Sequence, residues 1–218
     1  MGVAERRERE RCERRQQIIE AAERVFIERG AGDATMGDVA AEAELSKGTL
    51  YLYFASKDEL YIAMSARTLT MLGEQVDEAT PEDCTGLQAM RAMMAAHRQF
   101  AREHPDRIRF LLAWMAAGFH ADPAAGAYAD YLQRVGQVMA RATTMIERGQ
   151  RDGSVRADLD PMATVMQMWG GSMGMSMLFL NRSEVSRRVP DALDFDGVYD
   201  GYAELMLRGI AADGETLT

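Results

Sequence analysis

Three helix-start signals crowd into residues 35–60, and that crowding limits the segment to short helices in quick succession. Thr35 with Asp38, and Ser56 with Glu59, each set a hydroxyl ahead of free backbone amides and an acid three residues later. Ser46 opens a further helix between them. Inside these caps Val39, Ala40 and Ala43 share one apolar face, Leu50 and Phe54 share another, and Leu45 plugs the corner. Two helices joined by about three residues, the second too short to be independent, make a helix-turn-helix whose second helix has a role beyond packing.

Burying Leu50 and Phe54 leaves Lys47, Gly48, Thr49, Tyr51 and Leu52 on the outward face, and this set suits a DNA groove. Gly48 lets the backbone approach closely, Lys47 can donate to guanine acceptors, Thr49 and Tyr51 offer hydroxyls, and Leu52 can meet a thymine methyl. Lys57 opens the next helix, where an ammonium and free amides together suit a phosphate. Thr35, Met36, Ser46 and Tyr53 complete the candidate DNA-binding set. Lys47 and Lys57 are the only lysines among 25 Lys and Arg residues, a placement that compositional arginine bias also accounts for.

The run Ile18-Ile19-Glu20-Ala21-Ala22 through Phe26 and Gly30, then Thr35, Val39-Ala40, Leu45-Ser46-Lys47-Gly48-Thr49-Leu50-Tyr51, Tyr53-Phe54, Ser56-Lys57 and Leu60, resembles the DNA-binding domain of TetR-family transcriptional regulators. Glu44 departs from the pattern, because the family usually has glycine in the turn. A side chain there must accept an unfavourable turn geometry or alter it, and it brings a carboxylate near the DNA. The resemblance implies an all-α protein: an N-terminal three-helix helix-turn-helix DNA-binding domain, residues 1–60, joined to a C-terminal helical ligand-binding and dimerisation domain, residues 61–218. It further implies a homodimer, usually a repressor, whose last two helices pair with those of a second copy.

The 218 residues suffice for one large or two small domains with a real core. A formal charge of −9 counts against indiscriminate nucleic-acid binding but is compatible with a local basic face. Cys12 and Cys84 have no paired spacing, which argues against a disulfide or zinc framework and for a reducing cytoplasm. The N-terminus is charged from Glu5 onward with no apolar run of signal-peptide length. Its alternating Arg and Glu residues over 5–17, with opposite charges four apart at Glu5 and Arg9 and at Glu10 and Arg14, fit either a solvated extension of the first helix or an arm toward phosphate. From Ile18 the stripe Ile18, Ile19, Ala22, Val25, Phe26 backs the helix-turn-helix and ends at Gly30.

A long helix runs from Ser56 to about Glu78, and no alternating strand pattern or repeat follows. Thr80-Pro81-Glu82-Asp83 reads as a helix start, giving body helices near 81–103, 105–119, 122–152, 160–182 and 195–212. Met-rich stripes on these helices, within a total of 17 methionines, describe either plain core or a soft apolar cavity. For the cavity the candidate lining is Met94, His97, Phe110, Trp114, Tyr131, Met166, Trp169 and Met173. His97 needs a hydrogen-bond partner once buried, supplied by a neighbour or by a ligand. His97, His104 and His120 lack the carboxylate spacing of bundle metal motifs, so neither a metal nor another cofactor is expected.

Met162 to Leu180 carries no charge, a length that raises a membrane span, but Gly170, Gly171, Gly174 and several polar residues dilute it. The segment reads instead as a helix buried on both sides, one side by a partner subunit. Gly170 and Gly174 there, with Tyr199, Tyr202 and Met206 of the last helix, form the candidate dimer interface. The sequence favours a non-enzymatic regulator that binds an operator duplex and a small apolar effector. A regulator governed by a protein partner, or a helical enzyme or metal-binding protein, are the alternatives. No nucleophile with an adjacent base and no phosphate-binding glycine loop supports the enzyme.

Overall fold

The computed structural model describes residues 2–30, 32–116, 126–188 and 194–214, and within them the chain forms ten helices and no strand. These are α1 (Val3–Arg29), α2 (Met36–Glu42), α3 (Lys47–Tyr51), α4 (Lys57–Ala79), α5 (Gly86–Glu103), α6 (Pro105–Ala116), α7 (Gly126–Asp152), α8 (Pro161–Leu180), α9 (Arg182–Ser186) and α10 (Phe195–Ile210). They divide into two compact units: Met1–Arg67 with Ala117–Leu132, and Thr68–Ala116 with Gln133–Thr218. The fold is all-α, with the helix-turn-helix at its N-terminal end.

The first unit is built around α1. Ile18, Ile19, Ala22, Val25 and Phe26 are buried, as are Val39 and Ala40 of α2, Leu50 of α3, Phe54 and Leu60. Phe26 stacks on Tyr61 with ring centroids 5.1 Å apart, and Arg15 lies 5.0 Å over the Phe54 ring. Arg67 of α4 reaches Glu20 at 3.0 Å and the buried Glu23 at 3.3 Å, so a charged clasp fixes α1 against α4. The charged N-terminal segment is helical and continuous with α1, and Arg6 pairs with Glu10 at 2.8 Å.

In the second unit α5 packs on α6, α8 and α10 around Met90, Phe100, Ile108, Ile146, Val165 and Leu207. The expected start of α5 at Thr80 is corrected by the structure. The Thr80 hydroxyl turns back to donate to the Val76 carbonyl at 2.6 Å, closing α4, and α5 begins at Gly86. Thr85 and Gln88 form the reciprocal capping box there, and two residues at and just beyond the end of α7 add to it: Asp152 accepts from the Gly86 amide at 2.8 Å and Ser154 from the Leu87 amide at 3.1 Å. Burial pushes the Asp152 carboxyl up, but hydrogen bonds from the side chain and backbone of Ser154 and from the Gly86 amide outweigh it and hold the group below the usual range.

Gly86 sits where α5 meets α7, and a β-carbon on it would lie 2.1 Å from the Gly149 nitrogen and 2.4 Å from the Met145 carbonyl oxygen. Backbone on both sides leaves nothing to yield. Gly86→Ala is expected to destabilise the protein by about 3 kcal/mol, whereas Gly136→Ala, in open space on α7, should stabilise it by about 0.5–1 kcal/mol; urea denaturation of the two variants checks the contrast.

Candidate nucleic-acid interface and ligand cavity

The first unit presents α3 as an exposed rod. Thr35 caps α2 by accepting from the Asp38 amide at 3.2 Å, and Asp38 answers by accepting from the Thr35 amide at 3.0 Å. The Thr35 hydroxyl also donates to Asp38 at 2.7 Å, which with the Arg29 ion pair at 2.6 Å holds that carboxyl below its ordinary range. Between α2 and α3 the Leu45 amide donates to the Ala40 carbonyl at 2.8 Å and the Glu44 amide to Ala41 at 3.1 Å. That pair of bonds is a Schellman closure, which needs a left-handed residue at Glu44 and an apolar residue at Leu45. Glu44 has φ of 55°, the only positive φ at a non-glycine residue among those described. It accepts the unfavourable turn geometry that its sequence position requires.

Ser46 caps α3 through the Thr49 amide at 3.0 Å and shares a hydrogen bond with the Thr49 hydroxyl at 2.8 Å. Leu50 and Phe54 are buried beneath, while Tyr51 is 51% and Leu52 79% exposed. Lys47 and Gly48 are also exposed, and Tyr53 and Met36 are half-buried beside them. The Lys47 side chain lies along Gly37, where a β-carbon would come within 2.7 Å of Cε, so glycine at 37 gives the lysine its path. The ammonium of Lys57 donates to the Gly32 carbonyl at 3.1 Å and lies 5.9 Å from the Phe26 ring centroid. The candidate set thus divides: Thr35, Ser46 and Thr49 have their hydroxyls engaged in caps, Lys57 holds the α1–α2 loop, and Gly48, Tyr51 and Leu52 face outward.

The second unit encloses a cavity of about 80 Å³ lined by α4, α5, α6, α7 and α8. Met94, His97, Trp169 and Met173 of the expected lining are brought together there. Phe110, Tyr131 and Met166 are not among the lining side chains, and Met166 is 47% exposed on the outer flank of α8. The side chain of Trp114, like His120, lies outside the described residues. The structure adds Leu69, Leu72, Met90, Met93, Leu111 and Met139, most of them in the apolar stripes of the sequence, together with Arg141. No periodicity marked Arg141. It reaches the Gly73 carbonyl at 2.9 Å and Asp77 at 2.7 Å, clasping α7 to α4.

Tyr199 requires a correction, because a dimer-face position should be exposed and this one is only 3% exposed. Its hydroxyl lies 3.0 Å from His97 Nδ1, inside the second unit. Tyr202 hydrogen-bonds the Met168 carbonyl at 2.9 Å and lies against Gly171, and Met206 packs on the core. Gly170 and Gly174 face open space, beside exposed Met166, Met177 and Leu178; on α10 the exposed apolar residues are Val198 and Leu205. No helix among the described residues is long and apolar enough to cross a membrane.

Burial lowers the His97 pKa from 6.5 to about 4, so the ring is neutral near pH 7. The unfolded chain binds this proton first as pH falls. The stability is therefore full above about pH 6.5 and is lost as pH drops through about 4. Denaturation curves should show a loss of about 2 kcal/mol between about pH 6.5 and pH 5, absent in His97→Gln. A second expectation concerns the turn: Glu44→Gly relieves the left-handed strain and should stabilise the protein by about 1 kcal/mol in the same assay.

Residues 18–64 match the family described as bacterial regulatory proteins, tetR family. The chain is similar to the HTH-type transcriptional activator FasR of Mycolicibacterium smegmatis, 36% identical over 46% of each chain. It is also similar to the HTH-type transcriptional regulator BetI of Brucella canis, 30% identical over 59% of this chain and 61% of the relative. The matches thus span about half the length of these curated relatives. In fold it is similar to the ketosteroid transcriptional regulator KstR2 of Mycobacterium tuberculosis, with a TM-score of 0.63 at 20% identity over 92% of this chain and 96% of that one. The transcriptional regulator FadR of Bacillus subtilis, solved with stearoyl-CoA, gives 0.69 at 17% identity over 89% and 98%.

Proposed function

We propose, from the premise that residues 18–64 make this chain a member of the tetR family of bacterial regulatory proteins, that it is a cytoplasmic, homodimeric transcriptional regulator released from a palindromic operator by a small apolar effector. The observation that carries the reading is the outward face of α3, where Gly48, Tyr51 and Leu52 project from a helix anchored by Leu50 beneath. An exposed aromatic in the last position of a five-residue helix and an exposed leucine at its C-cap suit the base edges of a major groove.

A two-fold dimer would set one α3 in each of two half-sites about one helical turn apart. The exposed apolar flanks of α8 and α10 support such pairing, with Gly170 and Gly174 allowing close approach. Residues 1–60 then act as reading head and 61–218 as effector-binding and dimerisation body. α4 is continuous from Lys57 to Ala79, so a shift of its cavity-lining part changes the head it leads from. An effector acts only to the extent that it binds one head spacing better than the other. Repression is the sign we propose; the similarity to FasR, itself named an activator, makes an activating relative the informative comparison.

Selection from a randomised duplex library at moderate salt, followed by sequencing, tests the reading, and enrichment of a palindrome is expected. A folded dimer that enriches no sequence would end it. With the selected site in hand, Lys47→Ala should relax base preference, while Lys57→Ala should weaken all duplexes evenly and reduce the salt slope by about 1. Equal, sequence-independent losses from both would show that Lys47 touches only phosphate.

A further inference from the structure

The polar side chains that line the cavity are few, and their bonds define what else can enter. Arg141 is committed to the Gly73 carbonyl and to Asp77, so its charge is already balanced. Ser172, whose hydroxyl lies toward Tyr199 and Tyr202, and Trp169 are uncharged. His97 spends Nδ1 on Tyr199, and its Nε2 has no partner among the described residues although the side chain is only 8% exposed. A buried nitrogen in that state costs free energy until something meets it.

We infer that the cavity takes an uncharged, mainly apolar molecule carrying one hydroxyl or carbonyl group, which meets His97 Nε2. The inference rests on the reading of residues 61–218 as an effector domain. A neutral imidazole donates in one tautomer and accepts in the other, so it serves a hydroxyl or a carbonyl equally. Among the described lining residues a carboxylate finds no uncommitted cation, since Arg141 already faces Asp77, and an ammonium finds no anion. The cavity of about 80 Å³ is small for a single ring, but Met90, Met93, Met94, Met139, Met168 and Met173 line it, and unbranched thioether side chains repack at low cost.

The same bond gives the ligand a route to α10. A ligand that donates to Nε2 places the ring proton on Nδ1, which then donates to the Tyr199 oxygen; a ligand that accepts from Nε2 makes Tyr199 the donor. The bound group thus selects the orientation of a hydroxyl on α10, the helix that presents Val198 and Leu205 outward.

Four probes of similar size separate the requirements: toluene, benzyl alcohol, benzoate and benzylammonium, each titrated near neutral pH into the full chain. Trp169 fluorescence in a Trp114→Phe background reports occupancy, and the ¹⁵N resonance of His97 Nε2 in the unsubstituted protein reports the polar contact. Benzyl alcohol should bind about ten-fold or more tightly than either ion, and His97→Leu should weaken it about ten-fold while changing toluene by less than about two-fold. The Nε2 resonance should move with benzyl alcohol and stay with toluene. Either ion binding as well as the alcohol, an unmoved Nε2 resonance, or silence of all four probes overturns the inference. These outcomes are independent of the duplex selection, which alone decides whether the protein is a regulator.

Discussion

A five-residue helix has too few backbone hydrogen bonds to persist alone, so everything proposed for α3 depends on the burial of Leu50 and Phe54 beneath it. Ile18, Ile19 and Phe26 of α1 and Leu60 of α4 are buried in the same unit, and Arg15 of α1 covers the Phe54 ring. The orientation of the outward face follows from the turn before it. The two backbone bonds that close α2 fix Glu44 in a left-handed conformation and swing Leu45 inward, and α3 starts one residue later from the Ser46 cap. Strain at Glu44 is tolerated because both bonds and the Leu45 contact would be lost with any other conformation.

Much of this head was legible because its signals are local. Caps at Thr35 and Ser46, the apolar stripe of α1 and the left-handed requirement at Glu44 each depend on residues within one or two turns. The body was less legible where a long-range partner outweighed a local one. Thr80, Pro81 and the two acids that follow read as a helix start, yet Asp152 and Ser154, far along the chain, satisfy the amides of Gly86 and Leu87 and draw the start there. Tyr199 shows the same limit. Its place on an apolar stripe said that it is buried, but only the fold says that it is buried against His97 within one chain rather than against a second copy.

Periodicity also cannot separate the inner edge of a helix from its flank. Met166 and Met173 are one heptad apart on α8 and were assigned the same role, yet one is 47% exposed and the other 7%. An α-helix drifts by about 20° per heptad, so two positions seven apart do not share one direction, and a pattern read from spacing alone treats them as equal.

The polar pair of His97 and Tyr199 stands out from an interior made mainly of methionine, leucine and alanine. Apolar packing is soft in this composition, since methionine adapts its shape, so it specifies helix positions weakly. A buried hydrogen bond is directional and costly to leave unmade, and this one ties α5 to α10 at a single register. The outer ion pairs of Arg98 with Asp196 and Asp200 act between the same two helices but are solvent-screened. The geometry therefore places a directional link between the cavity wall and α10, beside that of Tyr202 to the Met168 carbonyl, at the residue whose second nitrogen has no partner among the described residues. Any molecule that meets that nitrogen acts on the link itself rather than on the adaptable methionine packing around it.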